Sequence, residues 1–198
     1  MVIRDLQETG ASLLKHHTTK EHQALEAIVL PHLQALRTIE DYVGLLKIFY
    51  GYHKPIEECI ATQLHESHLP DLEQRRKADW ILQDLTFSIP HNSKLPVSTN
   101  VPEINNCHQA FGALYVLEGS TLGGRGITKM LLKNQHLQLE EKQVRFFSGY
   151  GTETGAKWMN FLNYLNQQNT GCRAMEQMIG AANETFTLFK NWIQENEA

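Results

Sequence analysis

His22 and Glu26 stand one helical turn apart in TTKEHQALE, residues 18–26. A carboxylate at that spacing can hydrogen-bond one imidazole nitrogen, fix the tautomer and leave the other nitrogen free for iron. Leu14, Thr18, His22, Leu25 and Val29 fall on one helical stripe, which predicts an inward-facing imidazole. The plain alternative is a histidine that is only part of a core or surface. A second stretch, AFGALYVLEGSTLGGRGITKMLL over residues 110–132, carries Gly119, Gly123, Gly124 and Gly126 inside an otherwise apolar helix. Each interior glycine costs roughly 1 kcal/mol against alanine. In return, a helix face without Cβ atoms can bend and press its backbone against something flat. A tight helix–helix contact is the plain alternative here. A phosphate loop is excluded, because no Gly-Lys-Ser/Thr, no preceding β-branched strand and no acidic residue at the expected offset accompany the glycines. Glu118, Arg125 and Lys129 interrupt the run and exclude a membrane helix. Ser120, next to the first glycine, offers a hydroxyl that can order water but holds no charge.

These residues need helices to position them. A first helix runs from a Ser12 cap to about Leu30, where Pro31 ends or kinks it. Thr38 and Asp41 form a capping pair for a second helix, whose stripe includes Tyr42, Leu45, Phe49, His53, Ile56 and Ile60, with a kink at Pro55. Asp71 caps a short helix to about Leu85, and Thr86 to Val101 is a loop rich in Pro and polar residues. Pro102 suits the first position of the helix that leads into the glycines. Glu140 to Phe147 reads as one short helix, Ser148 to Gly155 as a loop, and Lys157 to Gln167 as a helix stopped by Asn169-Thr170-Gly171. A last helix turns Met175, Met178, Ile179, Ala182, Phe186, Phe189 and Ile193 inward. No segment reads as a strand, so the expected class is all-α.

The 198 residues fit a single domain, 1–198. A net charge of −4 with both signs scattered leaves no basic footprint for nucleic acid. No apolar run approaches a membrane span, and MVIRDLQETG has acidic residues where a signal peptide would be apolar. Cys59, Cys107 and Cys172 are widely spaced and odd in number, as reduced thiols of a cytoplasmic protein would be.

LYVLEGSTLGGR resembles the distal-helix segment of bacterial haem oxygenases, notably the group associated with bacteriophytochromes. TTKEHQALE resembles the proximal-histidine segment of the same family, T-x-x-x-H-x-x-x-E. FFSGYGTETGAKWMNFL and ANETFTLFKNWI resemble the bacterial group's later segments, so the resemblance runs from about Lys15 to Trp192. It implies a haem-oxygenase-like helical bundle in which haem b, both cofactor and substrate, lies between the His22 helix and a kinked distal helix. His22 would hold iron, oriented by Glu26. Gly119, Gly123 and Gly124 would leave room for dioxygen and little else, with Gly119, Ser120 and Gly123 at the reacting face. Lys15 matches a basic propionate contact, and Phe186 the aromatic that flanks haem. The implied products are biliverdin, carbon monoxide and iron. Electrons would come from an external ferredoxin or reductase, because the sequence has no flavin or nicotinamide fingerprint. The bacterial group's association makes a bacteriophytochrome a candidate acceptor of the bilin. Two departures stand out: Ser120 occupies the position where animal relatives carry aspartate, and the basic pair expected on the penultimate helix is represented at best by Lys157, with Met159 and Asn163 at the neighbouring turns.

Two other readings remain open from sequence. One is a thiaminase-type enzyme on the same architecture with a cysteine nucleophile. The other is a non-catalytic haem carrier or sensor using the same pocket. A carboxylate-bridged di-iron site is disfavoured, because no glutamate has histidine three residues later.

Overall fold

The computed structural model describes residues 9–88 and 94–196, so the beginning of the N-terminal stretch and the middle of the Thr86–Val101 loop lie outside the described residues. Helix α1 spans Gly10–Ala35, α2 Ile39–Gln63, α3 Asp79–Asp84, α4 Cys107–Lys133, α5 Arg145–Ser148, α6 Thr154–Gln167 and α7 Cys172–Glu195. Short 3₁₀ turns cover Leu72–Gln74, Glu141–Gln143 and Gly151–Glu153, and no strand occurs among the described residues. None of the described helices is long and apolar enough to cross a membrane.

Local chemistry explains most boundaries and corrects several expectations. Thr9, rather than Ser12, caps α1: its hydroxyl accepts the Ser12 N–H. Pro31 does not stop α1. The carbonyl it leaves without a helical partner belongs to exposed Ala27, which water can satisfy, and carrying the helix on buries Leu33 and Leu36. The Thr38–Asp41 capping box is present at the start of α2. Pro55 lies inside α2, and the carbonyl it frees, that of Gly51, accepts the Ser98 N–H at 2.8 Å. A Cβ on Gly51 would lie 2.6 Å from the Pro96 carbonyl oxygen and 2.8 Å from Trp192, so glycine is what lets this segment lie against α2.

Pro102 does not begin a helix. Residues 102–106 run along α7, where the Glu103 N–H donates to Glu184, and α4 starts at Cys107 under an Asn106 cap. The segment after Asp71 is a 3₁₀ turn followed by α3, because the Asp71 carboxylate binds Arg75 and Lys157 instead of capping a helix. The expected helix over 140–147 is likewise split into a turn and α5; Asp84 takes the Arg145 and Phe146 N–H groups at the α5 start, at 2.9 and 2.8 Å.

Helices α1 and α4 both lie along α7 and run in its direction. Asn183 and Thr187 of α7 reach His17 and Glu21 of α1. The first residues of α4 and α7 line one cleft, and further on Gly112 rests on the Met178 backbone, where a Cβ would lie 2.2 Å from the carbonyl oxygen. One continuous apolar cluster fills the interior, with Phe111, Phe161, Met178, Phe186 and Phe189 at the centre of these contacts.

Candidate functional site

The Tyr115 hydroxyl of α4 reaches the Thr18 side chain of α1. One turn beyond Thr18 stands His22, and one turn beyond Tyr115 stands Gly119. The parallel course of α1 and α4 therefore puts the imidazole and the glycine face at one level. His22 does not face inward as its stripe predicts. Its side chain is 51% exposed, and the ring lies 5.4 Å from that of buried Phe186 on α7. The exposed position fits a residue that presents a ligand to the side of the bundle. Glu26 Oε1 lies 3.4 Å from His22 Nε2. Lys15 is exposed, two turns before His22 on the same face of α1.

The glycines of the Gly119–Gly126 stretch of α4 separate by role. A Cβ on Gly123 or Gly126 would meet nothing within 4 Å, and one on Gly119 would make ordinary contact with Trp158 at 3.5 Å. Gly124 points elsewhere: its Cβ would lie 2.1 Å from the Phe147 carbonyl oxygen. Gly124 was expected beside the cofactor, but its missing side chain is accounted for by α5 packing on α4.

Ser120 is tied back to the protein. Its hydroxyl donates to the Leu117 carbonyl at 2.7 Å and accepts from Arg76 Nη2 at 2.6 Å. Arg76 also donates to the Leu117 carbonyl, lies 4.4 Å over the Phe146 ring, and gives its backbone N–H to the Tyr150 hydroxyl. Tyr150 donates in turn to Glu118 Oε1 at 2.8 Å, and Glu118 Oε2 receives Arg75 Nη1 at 2.6 Å. Burial, then the Glu118 charge, pushes the Tyr150 phenol up, so it stays a donor. Burial works against an ionised Asp71, but Lys157 and Arg75 overcome it and hold that carboxyl below its usual value. Lys157, the one basic residue expected to reach a propionate from the penultimate helix, has its ammonium 2.8 Å from Asp71 and is committed there.

This network was not recognised in sequence. Its signal was Glu118, a charge on the buried face of an apolar helix, and the adjacent Arg75-Arg76 pair in a turn. His53 was placed on its stripe without a role. Burial, aided by the Arg76 charge, lowers it to about 3, so the ring is neutral. Its Nδ1 faces the Phe49 carbonyl at 2.9 Å; that oxygen only accepts, so Nδ1 carries the proton and Nε2 keeps its lone pair. Glu57 accepts the Ala78 N–H with both oxygens near 2.9 Å, and burial raises it to about 7. The folded-state value lies above the ordinary 4.5, so folded protein binds the extra proton between these limits. Stability is therefore expected to fall as pH rises from about 4.5 through about 7, by on the order of 3 kcal/mol from this group. Glu57→Gln should flatten that part of a melting-temperature profile against pH; an unchanged slope would assign it to other groups, such as Asp84, which burial raises to about 6.

Cys59 and Cys107 are half-buried thiols and Cys172 is exposed. Among the described residues, no group of three or more His, Cys, Asp or Glu side chains could hold a metal ion. A single imidazole beside a bare helix face suits a metal that brings its other ligands with it.

Comparison with known proteins bears on the family and the fold. A family model described as heme oxygenase matches residues 8–195. The chain belongs to the haem oxygenase family. Its members are haem-degrading oxidoreductases that take haem as substrate and cofactor, and the all-helical bundle is their fold. Among solved structures, the NO- and CO-bound heme oxygenase of Neisseria meningitidis is similar with a TM-score of 0.74 at 26% identity, covering 95% of this chain and 92% of that one. The heme oxygenase of Leptospira interrogans is similar in fold, with a TM-score of 0.74 at 18% identity and coverage of 95% and 100%. Among curated proteins, no sequence match is found.

Proposed function

We propose that this haem oxygenase cleaves haem to biliverdin, carbon monoxide and iron, using dioxygen and electrons from an external ferredoxin or reductase. The observation that carries the reading is the pairing of an exposed imidazole, backed by Glu26 and Phe186, with the bare Gly119–Gly123 face at the same level. Haem supplies the iron that activates dioxygen and the ring that is attacked. His22 gives that iron one neutral nitrogen while Glu26 restrains the ring, and Phe186 supports its edge. Gly119 and Gly123 admit a small molecule to the opposite face. Lys15, exposed on α1, is the proposed partner of a haem carboxylate. The released bilin passes to a bilin-binding protein, for which a bacteriophytochrome is the proposed class.

Ser120 completes its hydrogen bonds within the protein, to Leu117 and Arg76. Its hydroxyl retains one lone pair for water, and the Arg76 guanidinium stands beside it. Ser120→Ala is therefore expected to slow turnover by about tenfold or less, since about 1.4 kcal/mol is a factor of ten and one neutral hydrogen bond is worth about 1 kcal/mol net. Single-turnover kinetics on haem-loaded protein measures this; a loss of several orders of magnitude with haem retained would make Ser120 essential. The overall reading is tested by adding hemin and then a ferredoxin system or ascorbate, and following the Soret band and bilin absorbance. A stable Soret band without bilin would favour the carrier or sensor reading.

A further inference from the structure

Arg75 is among the most completely buried side chains, at 2% exposure, yet it touches three separate parts of the chain. In its own turn it binds Asp71, through Nη2 at 2.9 Å and Nε at 3.0 Å. On α4 it binds Glu118, the residue immediately before Gly119, at 2.6 Å. On α6 it donates to the Asn160 side chain at 3.2 Å and to the Lys157 carbonyl at 3.4 Å. Between Lys157 and Asn160 lies Trp158, whose ring is the neighbour a Cβ on Gly119 would meet among the described residues. Trp158 also packs on Tyr115, 5.4 Å between ring centres, one turn before that glycine.

The bonding pattern separates two roles for such a network. A proton relay needs members that can both give and take a proton. Two of the members here are arginines, which stay protonated, and Arg76 enters through its side chain but continues through its backbone N–H. The chain of bonds therefore does not conduct protons. It is a fixed bracket, with a planar guanidinium whose donors point in set directions.

We infer that Arg75 is a positioning residue that holds the Trp158 segment of α6 beside the Gly119 turn of α4 and so sets how the flat macrocycle seats and which of its meso carbons is presented to the distal face. This rests on the haem oxygenase reading above. The Trp158 ring stands 3.5 Å from where a Cβ on Gly119 would lie, so a small movement of α6 changes the width of the site at that point. Among the described residues, Arg75 is bonded through its side chain to both helices at that level. Lysine cannot replace it, because a single ammonium cannot reach Asp71, Glu118 and Asn160 in the same plane.

The test uses full-length protein. Arg75→Met combined with Glu118→Gln removes both charges of the buried pair, leaves Asp71 matched by Lys157, and keeps a Tyr150 acceptor; such exchanges are often tolerated in folding. Asn160→Ala is a second variant at an exposed residue and removes only the side-chain bond to α6. Haem-free protein carrying 5-fluorotryptophan is read by ¹⁹F NMR, with Trp158 assigned through Trp158→Phe and Trp192 as internal control. The expected result is a moved or broadened Trp158 signal with Trp192 unchanged. In haem-loaded protein, the ratio of biliverdin isomers should change by on the order of tenfold in the double variant and by less in Asn160→Ala, as befits loss of charge-assisted hydrogen bonds. Arg75→Lys should behave like the double variant. Unmoved Trp158 signals with parental isomer ratios, or full rescue by lysine, would overturn the inference. Parent protein that forms no bilin at all would instead sink the oxygenase reading, and the fluorine spectra would still decide whether Arg75 positions Trp158.

Discussion

His22→Ala is expected to abolish normal haem ligation while leaving the haem-free fold intact. The side chain is half exposed and contributes no buried hydrogen bond, so truncation should change stability by about 0.5 kcal/mol or less. Iron held as proposed would, in contrast, lose its one protein nitrogen at this face. Bilin formation should fall by at least about a hundredfold, equivalent to roughly 2.7 kcal/mol in the barrier. The Soret band should move and weaken, and added imidazole should restore much of both signals by filling the space left by the ring. Glu26→Gln should have the same direction and a smaller size, about tenfold, because it disturbs only the partner of the ligand. Thermal melts, hemin titration and turnover on one preparation separate these effects. A His22→Ala protein with the parental Soret band and activity would transfer ligation to another histidine. His16 and His17 are exposed on the same helix, whereas His53 is enclosed by Phe49, Phe146 and Phe189.

The elements legible in sequence were those fixed by local chemistry. Thr38 and Asp41 signal a helix start because the box closes within four residues, and it forms as expected. The Met175–Ile193 stripe gives the inner face of α7 for the same reason. Elements set by distant partners were misjudged. Pro102 has the right torsion for a helix start, but residues 102–106 instead follow α7, where Glu184 takes the Glu103 N–H. Asp71 looks like a cap and is a ligand of Arg75 and Lys157, the latter 86 residues away in sequence. At the site, spacing placed His22 and the glycines on their helices but not their directions. Periodicity predicted an inward His22, yet the stripe it shares with Thr18 and Leu25 has an edge, and the histidine lies on it. Glycine count could not divide Gly123 from Gly124, because that division depends on α5, which approaches only one of the two.

The division of the glycines makes the second large effect a matched pair. Gly123→Val places a side chain where no atom lies within 4 Å, so the fold should accept it. Replacing glycine inside a helix should even favour α4 slightly, by a few tenths of a kcal/mol for a β-branched residue. Two methyl groups would nevertheless stand on the face where dioxygen is proposed to enter. His22 should still ligate, and turnover should fall by at least about tenfold, or roughly 1.4 kcal/mol. Gly124→Ala is the reverse case. Its Cβ would lie 2.1 Å from the Phe147 carbonyl oxygen and 3.2 Å from the carbonyl carbon. These are backbone atoms of α5, whose start is pinned by Asp84, so no rotamer change relieves the clash. Moving α5 off α4 should cost about 3 kcal/mol, the upper end for overpacking a close-packed interior. Melting of the haem-free proteins should therefore show Gly123→Val at or above the parent and Gly124→Ala well below it. Turnover per bound haem should show the opposite order. A Gly124→Ala protein as stable as the parent would mean that α5 can shift freely. Undiminished turnover in Gly123→Val, with His22 still on iron, would mean that the open glycines take no part in the reaction and that the cluster serves the α4–α5 contact alone.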